Sequence, residues 1–166
     1  MHAQTKLGPN IANLIGTLPA IGTVAPAFIL TANDMSDKSL SDFAGKKIIL
    51  NIFPSVDTKV CAISIRTFNQ QLTILENTVV LCISKDLPFA QKRFCGTEGI
   101  EKAITLSDFR SRGFGKTYGV ELTDSSFEGL FARAIVVIDT SGKVKYTELV
   151  PQIGEEPNYE AALKAI

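Results

Sequence analysis

The sequence predicts an α/β protein in which a central mixed β-sheet is flanked by helices on both faces. Three segments, at 47–53 (KIILNIF), 78–84 (TVVLCIS) and 132–139 (ARAIVVID), are short and rich in β-branched residues, and they are apolar on both alternating faces. Such runs are typical of strands that are covered on both sides of a sheet. A chain of 166 residues is long enough to bury one continuous core, so we expect a single domain over residues 1–166.

The segment between the first two strands predicts an amphipathic helix at 61–76. Its apolar residues recur at steps of three and four, which places them on one helical face. They are Cys61, Ile65, Phe68, Leu72 and Leu75. A strand, a helix and a second strand in this order form a βαβ unit, so the two strands should run parallel with a right-handed crossover.

Two further helices are expected in the middle of the chain. One should begin near Pro88, whose fixed φ suits the first turn of a helix, and should end at Gly96. Another is expected from Ser107 toward Gly119, although glycines inside this stretch weaken it.

The last part of the chain predicts a hairpin followed by a helix. The turn residues at 139–142 (DTSG) separate the strand at 132–138 from an alternating segment at 143–150, which favours an antiparallel pair. The C-terminal stretch PNYEAALKAI has an apolar side and predicts a final amphipathic helix.

Composition argues against several classes of partner and cofactor. The chain has 17 basic and 17 acidic residues, so its bulk charge favours neither nucleic acid nor an anionic membrane. It has no apolar run of about 18 residues that would cross a membrane. The apolar stretch at 11–30 is interrupted by Gly and Pro, so we expect no signal peptide and a cytoplasmic protein. With one His, three Cys and no Cys-x-x-Cys pair, we expect no metal, and we expect no organic cofactor.

The stretch PSVDTKVC places a thiol where a strand gives way to a helix. Pro54 cannot continue a central strand because it lacks the N–H that the sheet requires. Asp57 or Thr58 can cap the helix that follows, since each has a side-chain oxygen for a free backbone N–H. Cys61 therefore lies near the helix start, where the helix dipole favours a thiolate over a thiol. A cysteine on an apolar helical face can equally be a small core residue, so both roles stay open.

The helix end alone cannot supply an enzyme's rate enhancement. A tenfold to thirtyfold gain in thiolate corresponds to about 1.4 to 2 kcal/mol. Enzymes commonly lower a barrier by about 8 kcal/mol or more. If Cys61 is a catalytic nucleophile, other groups must also orient its electrophile.

The spacing Pro54-x-x-x-Thr58-x-x-Cys61 matches the active-site signature of the peroxiredoxins. The segments NIFPSVDTKVCAISIRTFNQ, TVVLCISKDLPFAQKRFCGTEGI and GLFARAIVVID resemble the thiol peroxidase branch of that family. Together with LSDFAGKKIIL and EEPNYEAAL, the resemblance covers about residues 18–163. Residues 1–20 depart from it, because they are shorter and less regular than the β-hairpin of that branch. We therefore expect an N-terminal extension over residues 1–20 that can form an irregular β-hairpin.

The resemblance implies a thioredoxin-like fold and the reduction of hydrogen peroxide and of alkyl or lipid hydroperoxides in antioxidant defence. It implies that Cys61 is the peroxidatic thiolate, which becomes a sulfenic acid. It also implies that Arg133 places a positive charge beside the sulfur, Thr58 hydrogen-bonds the peroxide and Pro54 shields the pocket from water. From the residues alone, Thr58 can equally be a helix cap with no catalytic role. An arginine in an apolar strand, in contrast, needs an anion nearby.

Two cysteines compete as the thiol that resolves the sulfenic acid. Cys82 lies in an apolar strand, which is typical of a packing role. Cys95 stands directly before Gly96 at an expected helix end, where access is plausible. The resemblance implies that Cys95 resolves Cys61 in an intrachain disulfide. Since a disulfide needs Cα atoms within about 7 Å, we expect both helix ends to unwind on oxidation.

The resemblance further implies thioredoxin as the reductant and a homodimer whose partner chain builds part of the substrate pocket. Two other functions could use the same cysteines. A thiol–disulfide exchange enzyme would normally carry Cys-x-x-Cys, and Thr58 stands where its first cysteine would be. A non-enzymatic redox sensor or binding module would use the bond between Cys61 and Cys95 as a switch and would not turn over.

Overall fold

The computed structural model describes residues 2–166, which form a seven-stranded mixed sheet, a two-stranded sheet and the helices around them. The strands are β1 (Gln4–Leu7), β2 (Asn10–Asn13), β3 (Ile29–Ala32), β4 (Asp37–Ser39), β5 (Lys47–Ile52), β6 (Thr78–Ser84), β7 (Ile104–Ser107), β8 (Ala134–Ile138) and β9 (Val144–Leu149). The α-helices are α1 (Lys59–Gln71), α2 (Pro88–Glu98), α3 (Phe114–Thr117) and α4 (Tyr159–Lys164), and a short 3₁₀ helix spans Leu40–Phe43.

The large sheet has the strand order β4-β3-β7-β6-β5-β8-β9. Strands β5, β6 and β7 are parallel to one another, whereas β8 runs antiparallel to β5 and pairs with β9 in a hairpin. The predicted mixed sheet, its parallel βαβ unit and the hairpin are therefore confirmed. A β-bulge interrupts the hairpin between Val137 and Ile138.

Apolar residues on both faces of β5 reflect two separate cores. Ile48, Leu50 and Ile52 enter a cluster with Phe114 of α3 on one side of the sheet. Ile49 enters a second cluster with residues of α1, α2 and α4 on the other side. Because each face is covered, positions 48–52 of β5 are all buried, whichever face they point to. The prediction of helices on both faces is confirmed.

Helix α2 extends further than the sequence predicts. Pro88 occupies the first turn, as expected. The helix does not end at Gly96 but continues to Glu98, and Gly99 caps it with φ +67° in the left-handed region. A glycine inside a helix costs only about 1 kcal/mol, so packing of α2 against the sheet outweighs it. Cys95 therefore lies in the last turn of a regular helix and not at its final residue, which corrects the prediction.

Two other helices are shorter than predicted. Helix α1 ends at Gln71, and the residues that follow form turns. The helix expected from Ser107 is reduced to the single turn of α3, because Ser107 is the last residue of β7. Helix α4 forms in the predicted C-terminal stretch.

The N-terminal segment contains a regular hairpin. Strands β1 and β2 pair antiparallel without interruption from Gln4 opposite Asn13 to Leu7 opposite Asn10. Gly8 in the connecting turn has φ +62°, which suits a tight two-residue loop. A hairpin therefore forms here, and its unbroken pairing corrects the expectation of an irregular one. Within residues 2–166, no helix is both long and apolar enough to cross a lipid bilayer.

Gly119 marks a close approach between two backbone segments and should not tolerate a side chain. Its φ is +69°, and an added Cβ would lie 2.2 Å from the Thr17 carbonyl oxygen. We expect Gly119→Ala to lower the free energy of unfolding by about 2 to 4 kcal/mol, measured by chemical denaturation. Gly129→Ala is the matched control, since Gly129 has φ +87° but no atom within 4 Å of an added Cβ. It should lose only about 1 to 2 kcal/mol. Equal losses would contradict the close approach as the cause.

Candidate active site

The loop after β5 carries Cys61 into the first turn of α1. The strand ends at Ile52, Pro54 follows, and Thr58 is the N-cap residue of the helix with extended backbone angles. Cys61 is the third residue of α1, and its side chain is fully buried. The sequence therefore predicts correctly where the thiol lies.

The helix cap differs from the prediction in its hydrogen bonds. The Thr58 side chain makes no capping bond, and its Oγ1 donates instead to the Ser55 carbonyl oxygen at 3.1 Å. Asp57 lies outside the helix, is exposed, and has a carboxylate oxygen 4.0 Å from Arg93 Nη2. The N–H groups of the first turn consequently have no capping side chain, and they add a positive potential beside Cys61.

The sheet places Arg133 next to this loop although it is remote in sequence. Strands β5 and β8 are antiparallel, with Ile52 paired to Ala134. The residue just before β8 and the loop just after β5 therefore meet at the same edge of the sheet. Arg133 is only 1% exposed there, and its Nε donates to the Ile153 carbonyl oxygen at 2.9 Å.

One end of the Arg133 guanidinium has no partner. Its Nη1 is buried and makes no hydrogen bond in residues 2–166. An arginine stays charged in proteins, and a buried, unpaired charge is costly, so this N–H group favours an anion beside it.

A cavity of about 160 Å³ joins these residues. Its lining residues are Leu7, Pro54, Thr58, Lys59, Val60, Phe127, Arg133, Ile153 and Gly154. Three predicted site residues, Pro54, Thr58 and Arg133, are thus brought to one cavity, and Cys61 directly follows Val60 of its wall. The lining contains two basic residues and no acidic residue, so the cavity suits a small anion or a polarised oxygen.

Sequence reasoning missed the support for Arg133. The Ile153 carbonyl that accepts from Arg133 is itself positioned, because the Ile153 N–H donates to the Lys6 carbonyl in β1 at 2.9 Å. The N-terminal hairpin thus helps to hold the guanidinium. Both contacts use main-chain groups that every residue carries, so no residue type signals them.

Cys82 is a buried thiol within β6. It is fully buried, and the Asn51 side-chain amide donates to its sulfur at 3.7 Å. Burial raises the pKa of the Cys82 thiol to about 12. It therefore stays protonated at neutral pH, in line with the predicted packing role.

Cys95 is partly buried on the side of α2 that faces the sheet. Its sulfur lies 3.6 Å from Thr105 Oγ1 of β7, and it packs against the same apolar cluster that contains Cys61. All three cysteines are free thiols. Cys61 and Cys95 thus belong to two intact helices on one face of the sheet.

One ion pair links α1 to α2, and a second links α2 to the loop before α1, beside a groove of about 420 Å³. Arg66 of α1 contacts Glu98 of α2 at 2.9 Å, and Arg93 of α2 lies 4.0 Å from Asp57. Both pairs are partly or largely exposed, and such pairs contribute only about 0.2 to 1 kcal/mol each. They orient the helices without locking them.

Within residues 2–166, no three His, Cys, Asp or Glu side chains are grouped in a way that could hold a metal ion.

Comparisons with known proteins agree with this fold. The family model described as Redoxin matches residues 20–163. The chain is 56% identical over 164 residues to the thiol peroxidases of Mycobacterium tuberculosis (strain ATCC 25618 / H37Rv) and Mycobacterium bovis (strain ATCC BAA-935 / AF2122/97). In both cases the match covers 99% of this chain and 98% of the relative.

Solved structures share the whole architecture. A peroxiredoxin-like protein from Aquifex aeolicus superposes with a TM-score of 0.91 at 37% identity, covering 99% of this chain and 96% of that one. Thiol peroxidase from Chromobacterium violaceum superposes with a TM-score of 0.90 at 24% identity, covering 97% and 93%, and supports the fold alone. These matches define a peroxiredoxin with a thioredoxin-like fold. Within that class the chain belongs to the thiol peroxidase family, which confirms the resemblance drawn from the sequence.

The raised pKa of Cys82 makes its reactivity testable. We expect iodoacetamide at pH 8 to leave Cys82 unlabelled in the folded, reduced protein and to label it in urea, as read by peptide mass spectrometry. The partly exposed Cys95 is the internal comparison. If Cys82 were labelled as fast as Cys95 in the folded protein, its burial would not control its chemistry.

Proposed function

We propose that this chain is a thiol-dependent peroxidase that reduces hydrogen peroxide and alkyl or lipid hydroperoxides, with Cys61 as the peroxidatic residue. The observation that carries the proposal is the unpaired Nη1 of buried Arg133, in a cavity that Pro54, Thr58 and the residue before Cys61 also line. The 56% identity to curated thiol peroxidases supports the same reaction.

In the first step, the Cys61 thiolate attacks the terminal oxygen of the hydroperoxide. A sulfur–oxygen bond forms while the O–O bond breaks, and the leaving alkoxide or hydroxide takes up a proton to become an alcohol or water. Cys61 is oxidised by two electrons to a sulfenic acid, and the peroxide is reduced by two electrons.

The cavity is suited to stabilise the charge that moves during this step. Negative charge passes from sulfur to the leaving oxygen, and Arg133 Nη1 can donate to it without giving up its proton. Thr58 Oγ1 lines the same cavity and can turn from the Ser55 carbonyl to the peroxide. Pro54 contributes an apolar wall with no N–H for water to bind.

A second step joins Cys61 to Cys95. The Cys95 sulfur attacks the sulfenic sulfur, an S–S bond forms, and the S–OH bond breaks with loss of water. Because both cysteines lie within intact helices, we propose that the start of α1 and the end of α2 unwind locally to bring the sulfurs together. The pairs Arg66–Glu98 and Arg93–Asp57 must open in this motion, at a cost that weak surface pairs keep small.

A dithiol then returns the enzyme to its starting state, and we propose thioredoxin as this reductant. It supplies two electrons and two protons by thiol–disulfide exchange, which regenerates Cys61 and Cys95 as thiols. The proposal includes a homodimer that contributes to the substrate pocket, as the family resemblance implies, and one catalytic domain over residues 1–166.

A redox sensor built on the same two cysteines is the alternative, and turnover separates it from a peroxidase. We expect the wild type, supplied with thioredoxin, its reductase and NADPH, to consume many equivalents of hydrogen peroxide or an alkyl hydroperoxide. Cys61→Ser should be inactive because it lacks the nucleophile. Cys82→Ser, the matched cysteine control, should continue to turn over.

Cys95→Ser should undergo one rapid oxidation of Cys61 without thioredoxin-linked cycling, because no internal thiol can resolve the sulfenic acid. NADPH consumption and intact-protein mass measure both outcomes. A wild type limited to one equivalent of peroxide would rule out a peroxidase. If Cys82→Ser lost cycling while Cys95→Ser kept it, the resolving residue would be Cys82.

A further inference from the structure

We propose that Asp86 is a positioning residue of this reaction, a proposal that rests on the peroxidase function. Its carboxylate holds the loop at 54–58 in the form that presents Thr58 and Cys61, and it joins that loop to the helix that carries Cys95. Asp86 does not line the cavity and contacts no reacting group, so it would act through its neighbours.

The Asp86 carboxylate is surrounded by three hydrogen-bond donors. Its Oδ1 accepts from Ser55 Oγ at 2.7 Å. Its Oδ2 accepts from the Val56 N–H at 2.9 Å and from Ser84 Oγ at 2.5 Å. An ionised carboxylate only accepts, so it satisfies all three donors, and such charge-assisted bonds are stronger than neutral ones.

Ser55 passes this constraint to the helix start. Its carbonyl oxygen accepts from both the Thr58 N–H at 3.2 Å and Thr58 Oγ1 at 3.1 Å. Its Oγ, while donating to Asp86, accepts from the Asp57 N–H at 3.1 Å. Asp86 therefore fixes Ser55, and Ser55 fixes the residue that begins α1.

The same cluster reaches the helix of the second cysteine. Ser84 Oγ, which donates to Asp86, accepts from Gln91 Nε2 at 3.1 Å. Gln91 lies in α2 one turn before Cys95, is fully buried, and also donates to the Leu106 carbonyl at 3.0 Å. The two segments that must rearrange to form the disulfide thus share one hydrogen-bonded junction.

Such a junction affects the two chemical steps in opposite ways. The attack on peroxide requires the loop in its folded form, which the Asp86 contacts favour. Disulfide formation requires the loop and the start of α1 to unwind so that Cys61 can reach Cys95, which the same contacts oppose. Weakening the junction should therefore slow oxidation of Cys61 and should not slow the condensation with Cys95.

Asp86→Asn tests whether the junction has these opposite effects on the two steps. The amide keeps the size of the side chain but offers one acceptor oxygen, so at least one of the three donors would face an NH₂ group. After rapid mixing with hydrogen peroxide, acid quenching and mass spectrometry give the second-order rate constant for loss of the Cys61 thiol and the first-order rate constant for disulfide formation. We expect the first to fall at least tenfold and the second to stay unchanged or rise.

Ser55 provides a second, milder test in case Asp86→Asn does not fold. Ser55→Ala removes one donor and leaves the Val56 contact in place, so it should change the ratio of the two rate constants in the same direction. Ser55→Thr keeps the hydroxyl and should restore the ratio toward that of the wild type.

Asp108→Asn is the control, because Asp108 is also buried and accepts from Lys85 Nζ at 3.1 Å, but its side chain makes no hydrogen bond to residues 54–58. It should leave the ratio unchanged even if its melting temperature falls. Equal changes in both rate constants in folded Asp86→Asn, or no difference between Ser55→Ala and Ser55→Thr, would overturn the role of Asp86. A wild type that does not cycle in the thioredoxin-coupled assay would overturn the peroxidase function as well, so the two failures are distinguishable.

Discussion

The candidate site depends on a buried arginine that the protein itself only partly pairs. Arg133 is almost completely buried, the Ile153 carbonyl accepts from its Nε, and its Nη1 has no partner in residues 2–166. Burying such a charge is costly, and the usual compensation is an anion nearby. The cavity wall supplies a second cation and no carboxylate. An anionic sulfur or a peroxide oxygen would complete the pairing, which links the electrostatics of the fold to the proposed chemistry.

The fold assembles the other parts of the candidate site by bringing distant segments to one edge of the sheet. Antiparallel pairing of β5 with β8 places the Cys61 loop beside Arg133. The N-terminal hairpin then holds Ile153 through Lys6, so residues remote from the loop also set the guanidinium position. Asp86, two residues after the end of β6, holds the loop itself through hydrogen bonds. These contacts hold the loop and the guanidinium in place. The two ion pairs that reach α2 beside the groove are exposed and weak, so they oppose the proposed unwinding only slightly.

Much of the fold, and the position of the Cys61 loop, could be predicted from the sequence because these features depend on local patterns. Apolar runs identify β5, β6 and β8, three- and four-residue steps identify α1, and the Pro-Thr-Cys spacing identifies the loop. The end of α2 was mispredicted because Gly96 lies in a packed helix, where tertiary contacts outweigh its modest helical cost. The roles of Ile153 and Asp86 could not be predicted, since they arise from long-range contacts to main-chain groups and to a short loop. The functional roles of Cys61, Cys95, Thr58, Arg133 and Pro54 stay predictions.

The most direct measurement concerns Arg133 and the rate at which peroxide oxidises Cys61. Arg133→Met retains an unbranched side chain of similar length without charge, and Arg133→Lys retains the charge without the forked donors. Circular dichroism should show both variants folded, and rapid-quench kinetics should show oxidation slowed about 10²- to 10³-fold in the Met variant, with Lys between it and the wild type. A folded Arg133→Met protein whose Cys61 reacts at the wild-type rate would contradict the account.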